Sequence, residues 1–157
     1  YTGTKISDGK RRCDFILTDT DTYNIILLCE VTSSIGGIEN LSRPIEKTQK
    51  DGTRTVVFPK GKYQKVELQL YQSLETLTEV PSISSYINNK KRKVCLMSYL
   101  IKRTEDNAVN AFNRNRLMEA EEAGENGAQI SCPQIEQFGF DYYRISHDYS
   151  FRISNSK

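Results

Sequence analysis

A single histidine, His147, serves all 157 residues, and that scarcity removes whole classes of chemistry. A histidine-rich zinc site and any choice among Ser–His–Asp triads are both excluded. The four cysteines, Cys13, Cys29, Cys95 and Cys132, form no CxxC pair and no metal-ligand spacing. Cys13, Cys29 and Cys95 lie inside apolar, strand-like runs, as free buried thiols of a reducing cytosol would. No run approaches ~18 apolar residues, so nothing reads as membrane-spanning, and no signal peptide is legible. A dominant charge is missing as well: 22 Lys and Arg against 20 Asp and Glu leave a net +2, too small to announce a nucleic-acid binder. No internal repeat or low-complexity tract occurs. Methionine is absent before Met97, so a chain opening at Tyr1 reads as a processed, trimmed or partial product.

What is present is 37% hydrophobic and 27% charged, with nine Tyr and six Phe. That balance is low in apolar residues for a globular domain, yet too aromatic for a disordered one. The length suits one domain over residues 1–157. The positive charge gathers at Lys10–Arg12, Lys60–Lys65 and Lys90–Lys93. Such clusters are either solvated faces or a track for phosphates.

The chain is organised around KRRCDFILTDTDTYNIILLCEVTSS, Lys10 to Ser34. Two apolar runs, Cys13–Thr18 and Tyr23–Val31, flank a polar DTDT, the pattern of a β-hairpin. Both parities are largely apolar, which predicts strands covered on both faces in the middle of a sheet. Two carboxylates stand out, Asp14 at the start of the first strand and Glu30 at the end of the second. Hairpin closure with a turn near Thr22 makes them cross-strand neighbours, about 5 Å apart. Carboxylates that close in a dry sheet repel, and want a proton or a divalent cation between them. The competing reading is that each merely ends its strand near water, or pairs with Arg11 or Arg12.

Further along, Tyr1–Ser7 alternates weakly as a candidate first strand. Ser33–Lys62 is a polar excursion with a turn at Asp51–Gly52 and a short strand at Thr53–Phe58. Lys60–Leu77 is the clearest helix, with Val66, Leu70, Leu74 and Leu77 on one stripe. Ser82–Asn88 adds a short helical turn after Pro81, and Val94–Ile101 is a buried apolar strand. Hairpin, helix, then apolar strand predicts an α/β fold with a mixed central sheet, the last strand added parallel through a right-handed crossover. Glu105–Ala123 is a second helix. Phe138–Ile153 is an alternating aromatic tail read as a closing β-hairpin, with His147 in its turn. A C-terminal helix and hairpin thus occupy 104–154.

Taken together, CDFIL…IILLCEVT…KGKYQKVELQLYQSLETL…KRKVCLMSYLI resembles the core of the PD-(D/E)XK nuclease superfamily, which includes many restriction and prokaryotic defence nucleases. The resemblance covers roughly residues 13–101. It implies a restriction-endonuclease-like core and Mg²⁺ (or Mn²⁺) held by Asp14 and Glu30, with the carbonyl of Val31 completing the metal shell. Thr32 stands where the family's lysine should be, and Cys13 replaces its proline. In members whose lysine has moved to the following helix, its counterpart here is Lys65, with Lys62 in reserve. Lys65 leads Gln69 by four residues, so the two share one side of the helix; Gln69 is similar to a helix glutamine of some branches. Lys65 can equally pair in solvent near Glu67 or Glu75.

The expectation is therefore a cytoplasmic, Mg²⁺-dependent endonuclease or exonuclease. Asp14, Glu30 and Lys65 are its catalytic residues, and Arg11, Arg12, Lys60, Lys62 and Gln69 lie against nucleic acid, DNA ahead of RNA, with no membrane partner. The alternative is a catalytically inactive module of the same fold that binds nucleic acid or a protein.

Overall fold

The computed structural model of the chain describes residues 11–32, 45–57, 61–100, 118 and 121–153, apart from the side chains of residues 45–47, 55–57 and 62. The expected hairpin forms from β1 (Phe15–Asp19) and β2 (Ile25–Thr32), antiparallel, with Phe15 opposite Cys29 and Asp19 opposite Ile25. Its turn is the DTDT cluster. The Asp19 carboxylate accepts the backbone amides of Asp21, Thr22 and Tyr23 at 3.2, 3.1 and 2.6 Å. Asn24 closes the turn at φ 48°, a left-handed conformation that asparagine tolerates better than most residues.

A small second sheet follows, β3 (Ile45–Thr48) antiparallel to β4 (Arg54–Val57), turning at Gly52 with φ 84°. The chain then enters α1 (Lys62–Thr78), whose first turn is closed by Gln64 Oε1 accepting the Gly61 amide at 3.0 Å. The stripe Val66, Leu70, Leu74 and Leu77 is buried as its spacing required, each side chain contributing about 1.5–3 kcal/mol. Pro81 cannot sit inside a helix, so α1 ends and α2 (Pro81–Asn88) restarts with proline in its first turn. The chain returns as β5 (Arg92–Tyr99), parallel to β2, with Glu30 beside Met97 and Thr32 beside Tyr99. The parallel pairing of the two strands is the one expected.

Beyond β5 come a 3₁₀ turn at Gly124–Asn126, β6 (Ala128–Gln129), the short α3 (Pro133–Glu136) and β7 (Asp141–Ser146). β7 runs parallel to β5, β6 pairs antiparallel with β7, and the open mixed sheet has the order β1-β2-β5-β7-β6. The fold is α/β, as the sequence pattern predicts. Among the described residues, no helix is long and apolar enough to cross a membrane.

Two expectations are corrected. Phe138–Ile153 is not a closing hairpin: only Asp141–Ser146 is a strand, His147–Tyr149 turns away, and Phe151–Ile153 carries no strand. The tail's aromatic alternation serves packing instead. Tyr143, Tyr149, Phe151 and Ile153 pack on the face formed by Ile25, Leu27, Cys29, Val94, Leu96 and Ile145, with the Tyr143 and Phe151 rings 5.3 Å apart. Nor is the whole hairpin covered. β2 is buried on both faces from Ile25 to Glu30, but β1 is the edge strand, with Phe15, Ile16 and Leu17 56%, 48% and 59% exposed. The expected strand at Tyr1–Ser7, Lys60, and the Glu105–Ala123 helix other than 118 and 121–123 fall outside the described residues. Helical backbone is present at Met118 and 121–123.

Candidate functional site

Strand pleating sorts the sheet into two layers. Even-numbered residues of β2 face α1: Ile26 and Leu28 join Val66, Leu70, Leu74, Cys95, Met97 and Tyr142 in the larger core. Glu30 continues that parity and is driven into the same layer, at 6% exposure. One residue pair beyond Phe15 and Cys29 stand Asp14 and Glu30, so the hairpin register sets the two residues opposite one another. Asp14 Oδ2 accepts the Val31 amide at 2.8 Å, a side-chain oxygen replacing a backbone carbonyl just past the end of the ladder. The Val31 amide is thus the group that touches Asp14.

α1 supplies the rest. Gln69 Nε2 donates to Glu30 Oε1 and to the Arg12 carbonyl at 3.3 Å. One turn later Ser73 Oγ accepts the Cys13 amide at 2.7 Å and donates to the Gln69 carbonyl at 2.8 Å. The strip Arg12–Asp14 is therefore laced to α1 by two side chains four residues apart, which is why Asp14 arrives at a fixed place although it precedes β1. Glu30 Oε2 is buried with no hydrogen-bond partner. Burial first, and the charge of Asp14 second, raise the Glu30 carboxyl from 4.5 to about 7, while the Gln69 amide and the Asp14 backbone amide pull the other way. At neutral pH this carboxylate is poised between its two forms.

Neighbouring thiols do not extend the donor set. Burial, then the charge of Asp14, push Cys29 up to about 11, and burial raises Cys13. All four cysteines are free. No cluster of three or more His, Cys, Asp or Glu that could hold a metal occurs among the described residues. The oxygens on offer are those of Asp14 and Glu30. That set suits Mg²⁺, which keeps several waters and binds through one or two carboxylates plus substrate phosphate, better than a cation needing an all-protein cage.

Lys65 is exposed on α1, one turn before Gln69 and on the same side. Its solvent pairing with Glu67 does not form: Glu67 Oε1 is taken by Arg144 at 2.7 Å, and Lys65 has no ion pair among the described residues. Arg11 and Arg12 are exposed beside Asp14, with the Arg11 amide donating to Gln72 Oε1 at 3.0 Å. Thr32 is buried. Lys60 and the Lys62 side chain lie outside the described residues. Gln69, expected against nucleic acid, is engaged with Glu30.

Sequence reasoning missed two features. Ser73 had a signal, a hydroxyl at the position four after Gln69 on the helix stripe. Arg144 had none: it stacks on Tyr63 at 4.0 Å and pairs with Glu67, on the flank of α1 opposite Gln69, and only the parallel placement of β7 brings it there. Comparison of the chain with protein-family models, with curated proteins and with solved structures gives no match.

Proposed function

We propose that this chain is a metal-dependent nuclease or nuclease-like domain that hydrolyses phosphodiester bonds, with Asp14 and Glu30 holding Mg²⁺ or Mn²⁺. The observation that carries the reading is the cross-strand carboxylate pair in which one member is buried and keeps an oxygen, Glu30 Oε2, without any hydrogen-bond partner. A buried polar atom left unpaired costs stability and calls for a reason, an ion among them. The order hairpin, crossover helix and parallel strand is the order the PD-(D/E)XK resemblance implies, and it supports the same reading.

The cation, when bound, would polarise the scissile phosphate and neutralise charge that develops on it. The chain's own groups do the rest. Gln69 holds Oε1 of Glu30, which leaves Oε2 as the oxygen that would bind the cation. The Val31 amide fixes Asp14, and the Val31 carbonyl offers a further oxygen. Lys65, on the Gln69 side of α1 and without an ion pair among the described residues, orients the attacking water from that flank and offsets negative charge. Arg11 and Arg12 hold the flanking phosphates as a salt-sensitive, sequence-independent contact. A role in prokaryotic defence and DNA ahead of RNA as substrate belong to this proposal and rest on the resemblance alone; a cytoplasmic setting belongs to it too and rests on the free cysteines.

The test is calorimetric titration of Mn²⁺ and Mg²⁺ into the intact chain and into Asp14→Ala and Glu30→Ala, beside cleavage assays on single- and double-stranded DNA and RNA. Loss of binding and cleavage together in both variants is the expected result. Unchanged metal affinity in both variants overturns the site. One observation favours a second reading: Thr32 is buried at the position where the family places its lysine. On that reading the domain binds nucleic acid or a protein without cleaving, and the intact chain would bind metal yet cut no substrate.

A further inference from the structure

A cavity of about 540 Å³ opens between β1, α1 and α2, and Asp14 forms part of its wall. The same carboxylate therefore borders both the candidate metal centre and a pocket of the size that encloses small organic ligands, about 300–1,000 Å³. The walls are mostly apolar. Ile16 comes from the uncovered face of β1, Ile83 and Ile87 from α2, and the exposed Tyr86 stands at the end away from Asp14. The hydroxyls in the wall are already engaged: Thr76 donates to the Gln72 carbonyl at 2.8 Å, and Thr18 bonds the Tyr86 hydroxyl at 2.7 Å. Arg11 and Arg12 line the cavity beside Asp14.

Resting on the nuclease reading above, we propose that this cavity takes an unpaired nucleobase of the substrate strand, its neighbouring phosphate held by Arg11 and Arg12. Three features select this occupant. Among the wall residues the positive charge stands at the Asp14 end, from the two arginines, while at the other end the Lys90 ammonium lies over the Tyr86 ring, 4.3 Å from its centroid, and is not itself a wall residue; this fits a ligand with one anionic end and an apolar, flat body. Continuity through Asp14 places that anionic end against the carboxylate pair, where a phosphodiester must lie to be cut. The walls offer apolar surface and one aromatic ring, with hydroxyls already bonded within the protein, so they accept any base by its faces. A base seated there has left its stack. Extrusion costs least when the base is unpaired or the strand is single, so the substrate class is single-stranded or locally unpaired nucleic acid, with little base preference.

Deoxyadenosine monophosphate, titrated into the isotope-labelled chain, should shift the methyl resonances of Ile16, Ile83 and Ile87. Ile83→Trp and Thr76→Met each fill the cavity from a different helix, and their folding is checked by thermal melting. Each should weaken binding of a short single-stranded oligonucleotide by about tenfold or more, the scale of one lost stacked base. Binding of a blunt duplex should change far less. Shifts confined to other residues, unchanged single-strand affinity in both folded variants, or equal binding of decanoate and the nucleotide would overturn the proposal. So would methyl shifts that depend on protein concentration instead of nucleotide, which would assign the groove to a second copy. Because the nucleotide titration needs no metal and no cleavage, the two readings separate. Pocket-dependent nucleotide binding without cleavage would sink the nuclease reading and keep the pocket, and metal-dependent cleavage with no nucleotide effect would do the reverse.

Discussion

Glu30→Gln should make this protein more stable at pH 8, and by an amount that follows from the burial of the site. The folded state holds the Glu30 proton up to about pH 7, whereas the ordinary value is 4.5. Between those pH values the native state binds more proton than the unfolded chain, so stability falls as pH rises through the window and levels off above it. At about 1.4 kcal/mol per pH unit, the interval from 4.5 to about 7 is a loss of roughly 3 kcal/mol. A glutamine keeps the shape, accepts the same Gln69 donor on its oxygen, and carries no charge toward Asp14. It should recover most of that loss above pH 7.5, and almost none below pH 4.5, where Glu30 is protonated in both states. Urea denaturation across pH 4–9, with midpoints compared at constant slope, reads the difference directly. Adding Mg²⁺ should close most of the gap at pH 8. Cation at a hundred times its dissociation constant stabilises the parent chain by about 2.7 kcal/mol and leaves Glu30→Gln much less affected. A Glu30→Gln effect that does not vary with pH, or a variant less stable than the parent at pH 8, would refute the claim that Glu30 is a strained, half-protonated carboxylate.

Other outcomes follow from the same geometry. Lys65→Ala should abolish cleavage while leaving metal and most nucleic-acid affinity intact, and Lys65→Arg should rescue poorly because a planar guanidinium cannot replace a compact ammonium; full activity in Lys65→Ala would remove that lysine from the mechanism. Charge reversal of Arg11, Arg12 and Lys62 together should weaken nucleic-acid binding and flatten the log–log salt dependence by roughly 0.9 per lost DNA phosphate contact, measured by fluorescence anisotropy, with an unchanged slope as the opposing result. Arg144→Ala should cost about 2–3 kcal/mol in urea denaturation. That figure lies below the range for a fully buried pair because these side chains are 19% and 21% exposed; a Glu67→Gln change added to it should recover part of the loss.

Much of the fold was legible because local chemistry and tertiary placement agree. The DTDT cluster forms the turn, Val66, Leu70, Leu74 and Leu77 face the sheet, and Pro81 separates two helices, each by rules that need no partner. The tail failed for a physical reason. Alternating aromatics mean only that one side of an extended chain is apolar, and that side can be satisfied by a hairpin partner or by lying on a sheet. Here β7 found a parallel neighbour in β5, and the residues after Ser146 packed beneath. A parallel pairing leaves no turn signal between its strands, so nothing local announced it. The exposure of β1 was equally silent in sequence, since an apolar edge strand and an apolar central strand read alike.

The site shows the same division at finer scale. Period-two alternation is enough to put Asp14 and Glu30 on facing strands, and hairpin arithmetic is enough to put them in one register. Neither says how deeply Glu30 is buried. That depends on α1 lying directly over the end of β2, which places Gln69 on the carboxylate and shuts water away from its second oxygen. The helix phase was visible in the leucine stripe, but a stripe fixes only which side faces the sheet, not which strand lies under each flank. Once α1 is placed, its two flanks divide the polar chemistry: Gln69 and Ser73 hold the carboxylate strip, while Tyr63 and Glu67 hold Arg144. Arg144 does not reach Asp14 or Glu30, because the apolar stripe of Val66 and Leu70 stands between the two flanks. Glu30 is buried while Asp14 is exposed beside Arg11 and Arg12, and Arg144 is bonded to Glu67; a buried carboxylate whose second oxygen has no partner among the described residues is the group that the proposed cation would satisfy.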